Sequence, residues 1–166
     1  MARPLQILFL ALVLAALGQA LWQHQRLPDR IAAHFNGSGQ PDGWLSRGQQ
    51  TAWHIGTVLF LAAVFQGIAA LQPRLPKEYV NLPHRDYWLA PERAAATHAW
   101  VNGIVLRLGC AVMLFFIALF HLLYRANLTA QPRLDGTVWW LTGGLLAMVA
   151  TSLVALVRKF GRKPTA

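Results

Sequence analysis

Four apolar runs, none carrying an acidic residue, constrain this chain more than any other feature. They lie at about 5–22, 52–71, 101–124 and 138–157. Crossing about 30 Å of hydrocarbon by helix takes roughly 17–25 residues, and each run is that long. Backbone amides find no water partner in lipid, so each run must satisfy its hydrogen bonds internally as a helix. A transmembrane β-barrel would show alternating segments of about 10 residues, and these runs do not alternate. The expected fold is an all-α membrane protein forming one integral membrane domain over residues 1–166. Its four transmembrane helices form an up-down bundle, joined by an outer loop (23–50), an inner loop (72–100) and a short connection (125–136).

Composition agrees. Charged residues make up only 13%, against about 25% in an average soluble domain. The single Cys110 excludes a disulfide framework and a cysteine-rich zinc module. In mid-span it reads as buried packing. The net charge of +9 invites a nucleic-acid reading. The basic residues, however, decorate helix ends on two faces instead of forming one stripe, so nucleic acid is not an expected partner.

Cytoplasmic flanks carry the excess of Lys and Arg. With the N-terminus inside, that side holds Arg3, Arg74, Lys77, Arg85, Arg93, Arg107, Arg158, Lys159, Arg162 and Lys163. The outer side holds Arg26, Arg30, Arg47, Arg125 and Arg133. Both termini are then cytoplasmic. Tryptophan prefers the membrane–water interface, and Trp22, Trp53, Trp139 and Trp140 fall at outer helix ends, Trp100 at an inner end. Arg3, the first run and Gly18-Gln19-Ala20 also fit a secretory signal, but the run continues through Trp22, longer than a typical signal core.

The outer loop is rich in turn formers, and Asn36-Gly37 after Ile31–Phe35 is a hairpin signal. A compact excursion with a little β-structure is expected there. In the inner loop, Pro91-Glu92 before an alanine run marks a helix start. The third helix is therefore expected to begin near Pro91 and project beyond the membrane.

Two blocks resemble a known family. Leu27-Pro28-Asp29-Arg30-Ile31-Ala32-Ala33-His34-Phe35-Asn36, followed by Gly39-Gln40-Pro41-Asp42-Gly43-Trp44, resembles the signature of a bacterial membrane domain of unknown function. That domain also forms the N-terminal part of Sdp-type toxin-immunity proteins. Ala32 stands where the family often has proline. Asn81-Leu82-Pro83, Arg85-Asp86-Tyr87-Trp88 and Pro91-Glu92-Arg93 resemble members of the same family. The resemblance implies a multi-pass protein of the bacterial cytoplasmic membrane. In that setting Asn36-Gly37-Ser38 and Asn127-Leu128-Thr129 are chance matches to the glycosylation pattern.

Each candidate constellation has a plain alternative. His34 with Asp42, Asp29, His24 and His54 offers imidazole and carboxylate ligands for a metal, but the spacing fits no standard motif. The plainer expectation is that His34 holds the loop on the membrane and Asp42 shapes the turn through its own backbone. Arg85, Asp86, Glu92 and Arg93 suit an ion-pair cluster, or else a solvated loop anchored by Tyr87 and Trp88. A mid-span charge costs about 2.5–3.5 kcal/mol. Arg107 therefore either snorkels inward or faces a polar cavity shared with Gln66 or Thr142. Gly143, Ala147, Thr151 and Ala155 form a small-residue stripe for close helix packing, within the chain or between copies.

The second span separates the two blocks, so they should lie on opposite faces of the membrane. That arrangement favours a non-enzymatic interaction, immunity-like or regulatory protein, with lipid, an envelope or cytoplasmic protein, or a second copy as partner and no cofactor. A small transporter, drawing on Arg107, Gln66 and His121, is the alternative. A metal-dependent membrane enzyme using His34 and Asp42 is a further one.

Overall fold

A computed structural model describes residues 2–162; Lys163, counted above among the inner basic residues, lies outside them. The element order is α1 (Ala2–His24), β1 (Arg30–Phe35), β2 (Pro41–Ser46), α2 (Arg47–Leu71), α3 (Arg85–Trp88), α4 (Pro91–Asn127) and α5 (Thr137–Phe160), with 3₁₀ turns at Gln72–Arg74 and Lys77–Tyr79. Four of the helices are long and apolar enough to cross a membrane, which fits a multi-pass membrane protein. Helix α4 begins at Pro91, as the proline and acid signals require. At about 1.5 Å per residue its 37 residues reach about 55 Å, well beyond the hydrocarbon thickness.

Helix α2 begins earlier than the hydropathy boundary at 52. Ser46 caps it: its side chain accepts from Gln49 N at 3.2 Å, and Gln49 Oε1 accepts from Ser46 N at 2.9 Å. This reciprocal capping box satisfies two otherwise orphaned amides and carries the helix five residues past the apolar limit.

Helices α1, α2 and α4 share a core of Phe9, Val13, Ala16, Val58, Cys110 and Met113. A Cβ on Gly109 would meet Phe9 and Phe65 ring atoms at 3.0 Å, so glycine lets α4 close onto those rings. Helix α5 is peripheral and packs chiefly on α4. The small-residue stripe does not serve that packing: Gly143, Ala147 and Thr151 are exposed and Ala155 is half-buried. Ser152 and Phe160 are the buried residues of α5.

The predicted β-structure is a two-stranded antiparallel hairpin carried by the ends of α1, α2 and α4. Its register runs Arg30↔Ser46, Ile31↔Leu45, Ala32↔Trp44, His34↔Gly43 and Phe35↔Pro41, with irregularities on either side of His34. One extra residue therefore sits on each strand, Ala33 and then Asp42, and such bulges re-aim neighbouring side chains.

Candidate functional site

The hairpin is built from the first signature block. Asn36 shapes its tip, because Asn36 Oδ1 accepts from Ser38 N, Ser38 Oγ and Gln40 N at 3.0, 2.7 and 3.0 Å. Asp42 does not shape the turn, contrary to expectation. Its place on a bulge turns its carboxylate to His34 Nδ1, which donates to Oδ1 at 2.5 Å. A Cβ on Gly43 would lie 2.8 Å from the His34 Cβ, so the glycine leaves the space that His34 occupies.

The tip docks on the α4–α5 connection, which is more than a linker. Leu134 N donates to Gly39 O at 2.9 Å. Gly39 has φ +77°, and a Cβ there would meet Leu134 O at 2.5 Å; backbone geometry and close approach both demand glycine. Between tip and connection lies an open cleft of about 640 Å³, bordered by Asn36, Ser38, Arg133, Asp135 and Trp139. Asp135 accepts from the Thr137 hydroxyl and from Thr137 N. Those two bonds, hydroxyl first, hold its carboxyl below the usual range, with Arg125 adding a smaller pull.

The base of the hairpin is clamped. Leu27 and Ile31 are buried against Tyr124. Arg47 Nη1 donates to Leu27 O at 3.1 Å, and Nη2 to Asp29 Oδ1 at 2.8 Å. Asn127, at the end of α4, pairs with the β1 backbone as a further strand residue does. Its Oδ1 accepts from Ala32 N at 2.7 Å, and its Nδ2 donates to Ala32 O at 2.9 Å. Beneath the clamp, buried His54 stacks on Phe120 with ring centroids 3.7 Å apart. The glycosylation match at Asn127 is thus a buried structural amide.

The residues proposed as metal ligands do not converge. Asp29 binds Arg47, and His24 Nδ1 donates to Thr51 Oγ1 at 2.8 Å. His54 lies under the clamp, which leaves His34 with Asp42 alone. No group of three or more His, Cys, Asp or Glu suited to a metal occurs among the described residues. What remains outward is a polar face: the His34–Asp42 pair, with 75% and 44% of the side chains exposed, and Arg30, whose guanidinium stands 4.8 Å from the centre of the Trp44 ring. Pro28 is also exposed, and Phe35 and Pro41 are half-buried.

Residues 9–60 match the family model of a domain of unknown function, DUF1648. The match takes in most of α1, the whole hairpin and the first half of α2. No curated protein and no solved structure matches the chain.

The second block lies at the opposite end of the bundle. Within the expected ion cluster, Asp86 meets Lys77 at 2.9 Å and Glu92 meets Arg93 at 2.8 Å, while Arg85 donates to Glu78 O. Asn81 and Pro83 are exposed, Leu82 half-buried. Nor is Trp88 a membrane anchor in a solvated loop. It is buried, meets Phe160 edge-to-face at 5.2 Å, and its carbonyl accepts from Thr97 Oγ1 at 2.9 Å. Tyr87 meets it edge-to-face and carries the Arg93 guanidinium at 4.1 Å. The block thus latches the end of α5 to the start of α4.

Among the described residues no hydrogen bond joins Arg107, Gln66 and Thr142. Arg107 is exposed and folds back one turn, Nε donating to Gly103 O at 2.9 Å, the posture of a snorkelling side chain. Gln66 instead accepts from Gln6 Nε2 at 2.6 Å, and Thr142 bonds its own helix at Val138 O.

Proposed function

We propose that the chain is a non-enzymatic recognition protein of the bacterial cytoplasmic membrane, with both termini cytoplasmic. Its hairpin reads a protein of the envelope side, and the residues around Lys77, Arg85 and Asp86 contact a cytoplasmic partner. The observation that carries this reading is the division of labour within the first block. Leu27, Ile31 and Arg47 lock the hairpin to the bundle, while His34, Asp42 and the Asn36 tip stay solvent-facing in fixed geometry. A rigid polar surface beside an open cleft suits binding, because little conformational entropy is lost on association. An immunity role, in which the hairpin intercepts a toxin at the membrane surface, is the form favoured by the resemblance of the block to Sdp-type proteins.

A photoreactive residue at Ser38, on the tip, tests it in living cells, beside a control at Met148 on the exposed side of α5. A discrete protein adduct is expected from position 38 and not from 148, and it should weaken when Asp42→Ala breaks the His34 pair. The absence of any adduct from position 38, or an identical one from 148, would remove the reading's support.

A further inference from the structure

The side of the hairpin that faces α2 and α4 borders an apolar feature that the recognition reading meets only at His34. An apolar groove of about 550 Å³ lies between Ala33, Trp44 and Leu45 of the hairpin, Trp53 and Thr57 of α2, and Phe120 of α4. It shares Trp53 and Thr57 with a second groove of about 590 Å³, which runs on past Gly56, Phe60 and Leu61 opposite Phe116. Together they form one channel along the α2–α4 seam. Trp53 to Leu61 alone spans about 12 Å of helix, and the channel begins above that, at the hairpin. Trp53 and Phe60 are 66% and 67% exposed, so the channel opens sideways, where a spanning helix faces lipid. Each groove has the volume of sites that hold small amphipathic ligands.

Two details specify the occupant. A Cβ on Gly56 would meet nothing within 4 Å. This glycine sits inside a 25-residue helix, where it costs about 0.5–1 kcal/mol relative to alanine, and no contact within the chain requires it. Its lack of a side chain widens the channel. The Arg30 guanidinium adjoins the groove through Trp44: it stands over that lining ring and makes no ion pair among the described residues, whereas Arg47 is matched by Asp29 and His34 by Asp42. An uncompensated guanidinium over an aromatic that itself lines an apolar channel complements a phosphate joined to an acyl chain.

We propose that this channel binds one anionic phospholipid, its phosphate on Arg30 and an acyl chain lying past Trp53 and Gly56 along the α2–α4 seam. The site adjoins the recognition surface at His34 but does not rest on it, and it stands whether or not the hairpin takes a protein partner.

Native mass spectrometry of the full chain, titrated with phosphatidylglycerol or phosphatidylcholine of identical acyl chains, tests it. The wild type should hold one phosphatidylglycerol at least about fivefold more tightly than phosphatidylcholine, the preference one basic residue gives near an anionic group. Arg30→Gln should remove that preference. Gly56→Leu, which fills the channel without meeting the protein at Cβ, should weaken both lipids by a similar factor. Trp140→Ala, an exposed aromatic on α5, should change neither. Equal affinity of the wild type for the two lipids would overturn the site. So would binding unchanged by Gly56→Leu, which would reduce the effect to surface charge at Arg30, and so would a peptide mass held in place of the lipid.

Discussion

Asn127 fixes the candidate surface more firmly than any residue within it. Buried at the end of α4, it returns both hydrogen bonds to the Ala32 backbone. Asn127→Ala would strand a buried N–H and a buried C=O, each costing about 1–3 kcal/mol. A lowered thermal midpoint is expected, with faster amide exchange at Ala32 and neighbouring β1 residues. Asn127→Asp keeps an acceptor for Ala32 N but no donor for Ala32 O, so it should fall between the two. None of this was legible in the sequence, because the partners are 95 residues apart and no local pattern marks the pairing. The turn, by contrast, was written locally in Asn36-Gly37, although Asn36 rather than Asp42 proved to organise it. Asp135 offers a second test at this scale. Its carboxyl is held down by the Thr137 hydroxyl and amide, so the bonded, ionised form contributes fully above the ordinary carboxylate pKa. That contribution fades as the pH falls through the lowered value. NMR titration should find Asp135 ionising below a reference aspartate, and Thr137→Val should move it back up.

Among the elements, the helices follow hydropathy and capping, and their departures have physical causes. The Ser46–Gln49 capping box, a visible signal, extends α2 beyond the apolar run. The inner loop was harder to read. Its prolines announce turns, but the burial of Trp88 depends on Phe160 arriving from the far end of the chain. Edge-to-face contacts join Trp88, Phe160 and Trp100, with rings 5.2 Å apart. Removing a large buried aromatic costs about 3–5 kcal/mol in a packed core. Trp88→Ala should therefore release the end of α5 from α4. Limited proteolysis should then cleave near Arg158 and Lys159 faster than in the wild type, while the hairpin keeps its exchange protection. The reverse holds for Asn127→Ala, because the two clasps sit at opposite ends and share no residue.

Across the whole molecule, four apolar helices set two surfaces apart. One is a hairpin clamped by Arg47 and Asn127, the other a proline-punctuated segment latched through Trp88. Hydropathy made the spans legible and the basic residues suggested their direction. Which residues of the two blocks face outward depended on tertiary burial, and the sequence carried no signal of it. A recognition protein with separate partners on each side requires the surfaces to lie across a membrane from one another. Cysteine accessibility measures this most directly. In a Cys110→Ala background, Ser38→Cys and Asn81→Cys place single thiols at the exposed hairpin tip and in the exposed second block. A membrane-impermeant maleimide should label position 38 in cells with an intact inner membrane, and position 81 only after that membrane is opened. Labelling of both thiols from the same side would contradict the two-sided architecture and the function built on it.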